Sequence, residues 1–353
     1  MARPRLLIPC LALFALSCAQ STTAPPSNGT GTDSRGTALT GEHAFDISTT
    51  LAWSQASNEV LGAAAFGGTT GGPGLIGVNA VSGGVRLLDA APVLFPAVTH
   101  DGANVLYDAV VSNASAPAND STLLRVRSLA GSAPATLTSC PGLCAFTFVL
   151  SADDRYLAWT GTASDPLEPD TVRVLDRVTG ARRAFVTGEP LTFSPDDGTL
   201  MIRNPLGAGG YATVALASGT LTPFPLDLPA GATGATLRWA TDGVHALYVL
   251  SGNQLRVLTP SGDALLFAAP ESIEPTSLTW SPNGARVALW TVGPIDNGAD
   301  TAWRLYAVNV GGASGALTAL GRSVGHAITF SPDGSRLAYL YADRLFTTAL
   351  TTP

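Results

Sequence analysis

"ITFSPDGSRLAYLYA", residues 328–342, sets a Ser-Pro-Asp-Gly turn between two stretches of alternating apolar residues. "LTWSPNGARVALWTV" at 278–292 repeats the arrangement, and "LTFSPDDGTLMIR" at 191–203 is a looser copy. Pro332 presets the backbone for a type I turn and Asp333 tolerates the next position. Gly334 then takes the left-handed conformation that closes a short hairpin. Ile328 and Phe330 before the turn, and Leu337 and Tyr339 after it, follow the period of two of a half-buried strand.

The aromatic or apolar residue before the turn recurs at Trp53, Val98, Leu150, Phe193, Trp239, Trp280 and Phe330, at intervals of 41 to 52 residues. "WATDG", "WSPNG" and "FSPDG" are clear copies, "VTHDG" and "LSADD" keep the Asp, and "WSQAS" is weak. A second small turn follows each of the first six anchors, as at Ser82-Gly83, Thr179-Gly180 and Ser261-Gly262, with strand-like residues on both sides. Each unit therefore reads as strand, tight turn, strand, longer loop, strand, tight turn, strand. No stretch beyond the first residues has helical periodicity. The fold class is all-β, a β-propeller of seven four-stranded blades. Ala158, Ala288 and Ala338, each after an apolar residue in the second strand, let neighbouring blades approach. The last repeat starts at Phe330 and lacks a fourth strand, so residues 38–48, "ALTGEHAFDIS", are expected to pair with the C-terminal strands and close the ring.

The SPDG turn followed by an apolar strand resembles the TolB-like propeller repeat, a relative of the WD repeat, over roughly residues 38–353. The resemblance implies the fold. The extra α/β domain of the Tol-associated protein is missing, so membership of that complex is not implied.

The start, "MARPRLLIPCLALFALSCAQ", has Arg3 and Arg5 before a short apolar run, Leu6 to Leu16, too short to span a bilayer. Ala15-Leu16-Ser17-Cys18 resembles a bacterial lipobox, which implies a signal peptide over 1–17 and lipid on Cys18. Ala19 after the cysteine fits the outer membrane, facing the periplasm or the cell surface. Residues 18–37 are mostly Ser, Thr, Gly, Pro, Ala and Asn and read as a flexible tether with a reach of roughly 25 Å. The propeller is assigned to 38–353.

Of 353 residues, 46% are hydrophobic and 13% charged, so a large core is available. All 19 basic residues are Arg, against 26 acidic ones, for a net charge of −7; a nucleic-acid partner, which needs a basic face, is not expected.

Chemistry is sparse. Gly321-Arg322-Ser323-Val324-Gly325 matches G-x-S-x-G, but "AITFSPDG" leads into a hairpin where a hydrolase elbow needs a helix. His43, His100, His245 and His326 are far apart, and "PIDNGAD" at 294–300 misses the EF-hand spacing, so no metal or other cofactor is expected. Cys140 and Cys144 in "SCPGLC" suit a local disulfide in an oxidising envelope. The longer loops 66–74, 111–122, 163–171 and 292–303 crowd one face, where Asp165, Glu168, Asp170, Asp296 and Asp300 form an acidic rim and Trp303 an aromatic anchor.

These features lead us to expect a non-enzymatic envelope lipoprotein that presents the loop face to another envelope protein and meets the membrane only through its lipid. The alternative is a binder of glycan, peptidoglycan or a small ligand in the central channel; a third is an enzyme with residues converging on the axis. Cys18→Ala is expected to move the protein from the membrane pellet to the soluble envelope fraction. Retention in the pellet after a high-salt wash would rule out the lipid.

Overall fold

The turn at Ser331 is locked by its own side chains. In the computed structural model, Ser331 Oγ donates to Asp333 Oδ1 (2.5 Å) and accepts the amide of Arg336 (2.9 Å), while Asp333 Oδ1 also accepts the amide of Ser335 (3.0 Å). The structure describes residues 32–33, 36–39, 50–64, 74–111, 120–141, 144–161, 171–203, 210–224, 238–240, 245–259, 262–295, 300–310, 314–320, 327–341 and 344–350. The same three bonds recur around Ser281 and Asn283, Ser194 and Asp196, Ser151 and Asp153, and Thr99 and Asp101. Each carboxylate gains acceptor bonds that it lacks in the unfolded chain, so its pKa falls. Hydrogen bonds from Ser331 and from the Ser335 amide bring Asp333 down to about 2. Asp101 and Asp196 shift the same way, led by Thr99 and Ser194, and Asp153 does so led by the Arg155 amide.

Seven antiparallel sheets follow in chain order. The first blade is Ala52–Ser54, Glu59–Ala64, Gly74–Asn79 and Val85–Asp89. The second is Ala97–Val98, Asn104–Val111, Ser121–Ser128 and Ala135–Pro141. The third is Phe146–Leu150, Tyr156–Gly161, Thr171–Asp176 and Arg182–Thr187. The fourth is Glu189–Phe193, Thr199–Arg203, Tyr211–Ala215 and Leu221–Phe224. The fifth is Arg238–Trp239, Ala246–Leu250, Gln254–Thr259 and Gly262–Ala268. The sixth has a divided inner strand, Ser272–Ile273 and Thr279–Trp280, on Arg286–Ile295, followed by Asp300–Asn309 and Ser314–Leu320. The seventh is Ile328–Phe330, Arg336–Tyr341 and Arg344–Ala349. First strands of adjacent blades approach one another, so they form the inner wall of the ring. The anchors Trp53, Val98, Phe193, Trp280 and Phe330 stand near its end, just before the short turns.

The core is divided among the blade junctions. Ala158 packs with Phe193 and Leu200 between the third and fourth blades, Ala288 with Phe330 and Tyr339 between the sixth and seventh, and Ala338 with Trp53 and Val60 between the seventh and first. All three alanines are fully buried, as the sequence pattern requires. Aromatic pairs cross the seams: Trp290 meets Tyr339 edge-on at 5.9 Å and Tyr156 stacks with Phe193 at 6.2 Å.

An N-terminal strand closes the ring. Gly36–Ala38 pairs with Arg344–Ala349 through Thr37 with Thr347 and Ala38 with Phe346, the Leu39 amide donates to the Leu345 carbonyl, and Thr32–Asp33 adds outside it. The closing residues thus begin upstream of 38, inside the stretch assigned to the tether, and 40–49 lie outside the described residues. The edge of the last blade, not local strand propensity, selects them. The compact propeller unit runs from Gly31 to Pro353.

The long loop expected at 292–303 is instead mostly strand. Arg286–Ile295 and Asp300–Asn309 pair without a break from Arg286 with Asn309 to Ile295 with Asp300. Trp303 faces Val292 in this ladder and is only 9% exposed, within the core between the sixth and seventh blades. It is a core residue and not a surface anchor.

Among the described residues no helix is long and apolar enough to cross a membrane. Asn283 already replaces Asp in one turn, which sets up a test. Asp333→Asn should leave stability within a few tenths of a kcal/mol near neutral pH, and Asp333→Ala should cost about 1 kcal/mol in urea unfolding. Asp333 supports the fold above its unfolded pKa of about 3.9 and loses that support as pH falls toward about 2. The Asn variant should therefore flatten the acid limb, and an unchanged limb would remove Asp333 from the account.

Candidate functional site

Short turns and inner strands together shape the channel mouth. Adjacent turns are bonded to each other: Asp154, held at φ 60° in the third blade, accepts the backbone amides of His100 (2.9 Å) and Asp101 (3.0 Å) in the second. Asp197, at φ 55°, accepts the amide of Ala152 in the third blade (3.2 Å). Ser54 of the first blade donates to the carbonyl of Gly102 (2.7 Å). Gly102 has φ 71°, and a Cβ there would lie 2.7 Å from the Ala56 amide nitrogen, so only glycine permits this approach.

Behind this rim lies a cavity of about 350 Å³ between inner strands of the first, second and seventh blades. Ala52, Trp53, Val98 and Phe330 supply apolar surface, and Gln55, His100, Pro282 and Pro332 stand around it. A second hollow of about 270 Å³ shares Trp53, Gln55 and Pro332 and adds Asn58, Asp333 and Arg336. The Arg336 guanidinium sits 5.6 Å from the Trp53 ring centroid and donates to Thr347 Oγ1 (2.7 Å). His100 is half-exposed, with Nδ1 at 2.9 Å from Asp154 Oδ1. A carboxylate only accepts, so Nδ1 carries the hydrogen, and in the neutral ring Nε2 is an acceptor. Across the ring, the inner strands of the fourth and fifth blades carry Glu189, which pairs with Arg203, and Arg238, whose pKa is lowered by burial.

A larger groove of about 560 Å³ lies between the third and fourth blades. Its charges are largely satisfied internally: Arg155 pairs with Asp176 at 2.8 Å and Arg183 donates to the carbonyls of Leu216 and Ala217. The mouth combines accessible valine and proline surface, at Val98, Pro282 and Pro332, with side chains that can serve a ligand, which makes it the better candidate.

Of the residues singled out in the sequence, Cys140 and Cys144 form the expected disulfide and are buried. Cys18, Asp165, Glu168, Asp170, Asp296, His43 and the G-x-S-x-G stretch with His326 lie outside the described residues. Asp300 opens a strand opposite Ile295, and His245 follows the first turn of the fifth blade. The His100–Asp154 pair was missed because its partners are 54 residues apart, joined only by the turn-to-turn contact.

No protein-family model matches the sequence, and neither does any curated protein. Solved structures do. An oligogalacturonate lyase in complex with manganese is 15% identical with a TM-score of 0.67, covering 93% of this chain and 97% of that one. An oligogalacturonate lyase from Vibrio parahaemolyticus is 15% identical with a TM-score of 0.64, covering 89% and 93%. A chain of the mitotic checkpoint complex is 16% identical with a TM-score of 0.56, covering 95% and 100%. At such identities the likeness shows the fold, a seven-bladed propeller, and does not narrow it to the TolB-like or WD families.

One expectation is overturned. A non-enzymatic protein was expected because the sequence offers little recognisable chemistry, yet a lyase structure is covered over 97% of its length by this chain. A propeller of this extent can itself be an enzyme. Among the described residues no group of three His, Cys, Asp or Glu is placed to hold a metal ion.

Asp154→Gly keeps the left-handed backbone and removes the carboxylate from His100 and Asp101. A loss of about 1–3 kcal/mol in urea unfolding is expected. Unchanged stability would mean that the rim does not depend on this contact.

Proposed function

We infer that the propeller binds an oligosaccharide at the axial mouth on its short-turn face, and that Cys18 holds it at the outer membrane. The observation that carries this reading is the mouth cavity: apolar surface from Val98, Pro282 and Pro332 over the nearly buried Trp53, with Gln55, Asn58, His100 and Arg336 around it. The flat C–H face of a sugar ring suits the apolar surface, and its hydroxyls suit the amides and imidazole. The lyase names of two similar structures support a saccharide ligand.

A second reading adds cleavage. An imidazole whose Nδ1 donates to a carboxylate presents Nε2 as a proton acceptor, the arrangement of a general base. An envelope-protein partner for the long-loop face rests on the sequence alone, and crosslinking in intact cells tests it.

Calorimetric titration with oligogalacturonates and with neutral oligosaccharides tests the binding. Gln55→Ala combined with Asn58→Gly, which keeps the left-handed backbone at φ 50°, should weaken binding about tenfold, roughly 1.4 kcal/mol, without lowering Tm; both positions are exposed. Unchanged affinity, or no binding to either class, would overturn the reading. Unsaturated product from the native protein, lost in His100→Gln, would add the cleavage step.

A further inference from the structure

Asp108, on the second strand of the second blade, is fully buried. Side chains alternate along a strand, so Asp108 shares the face of Leu106 toward the third blade, while Tyr107 takes the face toward the first. Its Oδ2 accepts the amide of Phe146 at 2.9 Å, and its Oδ1 has no hydrogen-bond partner among the described residues. Phe146 opens the inner strand of the third blade, two residues after Cys144. Cys144 is disulfide-bonded to Cys140 on the outer strand of the second blade, and its amide donates to Thr122 Oγ1 at 3.0 Å. One carboxyl group and one short disulfide loop thus tie the entry of the third blade to the second.

Among the described residues no charge balances Asp108. Arg125 pairs with Asp89 at 3.0 Å and Arg127 donates to the Leu88 carbonyl, both toward the first blade. Residues 92–94, which bond the other edge of the strand, and residues 146–150 carry no ionisable side chain. Burial alone raises the carboxyl, to about 7, opposed by the Phe146 amide.

We propose that the junction between the second and third blades is a proton-operated latch: neutral Asp108 clamps the disulfide-closed entry of the third blade, and its ionisation loosens that clamp. The clamped strand, Phe146–Leu150, leads directly into the turn that carries Asp154. The latch and the channel mouth therefore share one strand.

The sign follows from the raised pKa. In the opened segment the carboxyl titrates near its ordinary value of about 3.9. The clamp is at full strength below that pH, weakens by up to about tenfold per unit toward about 7, and is level above it. Hydrogen exchange of residues 144–150 in the full chain, corrected for intrinsic rates, reads this directly. Protection should fall across that window in the native protein and stay high and flat in Asp108→Asn, whose amide oxygen still accepts from Phe146. Flat native protection, or an equal slope in the variant, would overturn the latch. Should the variant not fold, the native profile decides: a fall in 144–150 absent from 286–295 supports the latch, and an equal fall in both refutes it.

Discussion

A hydroxyl and a carboxyl or amide side chain two residues apart lock the first turn in five of the blades and so fix where each blade's second strand begins. Ser331 and Asp333 satisfy the amides that a tight reversal leaves unpaired, and they do so without partners from elsewhere in the chain. Ser281 with Asn283 shows that the acceptor, and not the charge, is the essential part. Because the lock is local, each hairpin can hold its register before the neighbouring blades arrive. With the turns fixed, the anchors stand at the same height in successive blades and the second-strand alanines meet the next blade.

The same turns make the mouth. Where the left-handed position holds Asp154 or Asp197, its carboxylate reaches the backbone of the preceding turn; where it holds Gly102, the backbones themselves close up. The rim is therefore a series of bonded turns and not a fringe of independent loops, a setting in which a side chain such as His100, bonded to Asp154, is held in place before a ligand arrives. Structures with very different names share this fold at 15–16% identity, so function must be sought in such rim residues and not in the blade pattern.

Much of this was legible in the sequence because it is local. The Ser-Pro-Asp-Gly turns, the alternation around them and the short Cys140–Cys144 spacing need no knowledge of distant residues. What could not be read was contact between distant segments. Gly36 and Thr37 have the composition of a tether, and only the open edge at Arg344–Ala349 makes them a strand. "VGPIDNGADTAW" carries turn residues, yet ten-residue strands extend through most of it and bury Trp303. Asp108 and His100 gain their meaning from Phe146 and Asp154, in the next blade. Loop length and loop charge pointed to the opposite face, whereas the cavities among the described residues that suit a ligand lie behind the short turns.

A crystal structure of the protein soaked with an acidic oligosaccharide such as an oligogalacturonate locates the ligand directly. Density for a sugar ring over Val98 and Pro332, with its hydroxyls toward Gln55 or His100, is the result this account predicts. Density confined to the long-loop face, with the Trp53 cavity holding only solvent, would contradict it.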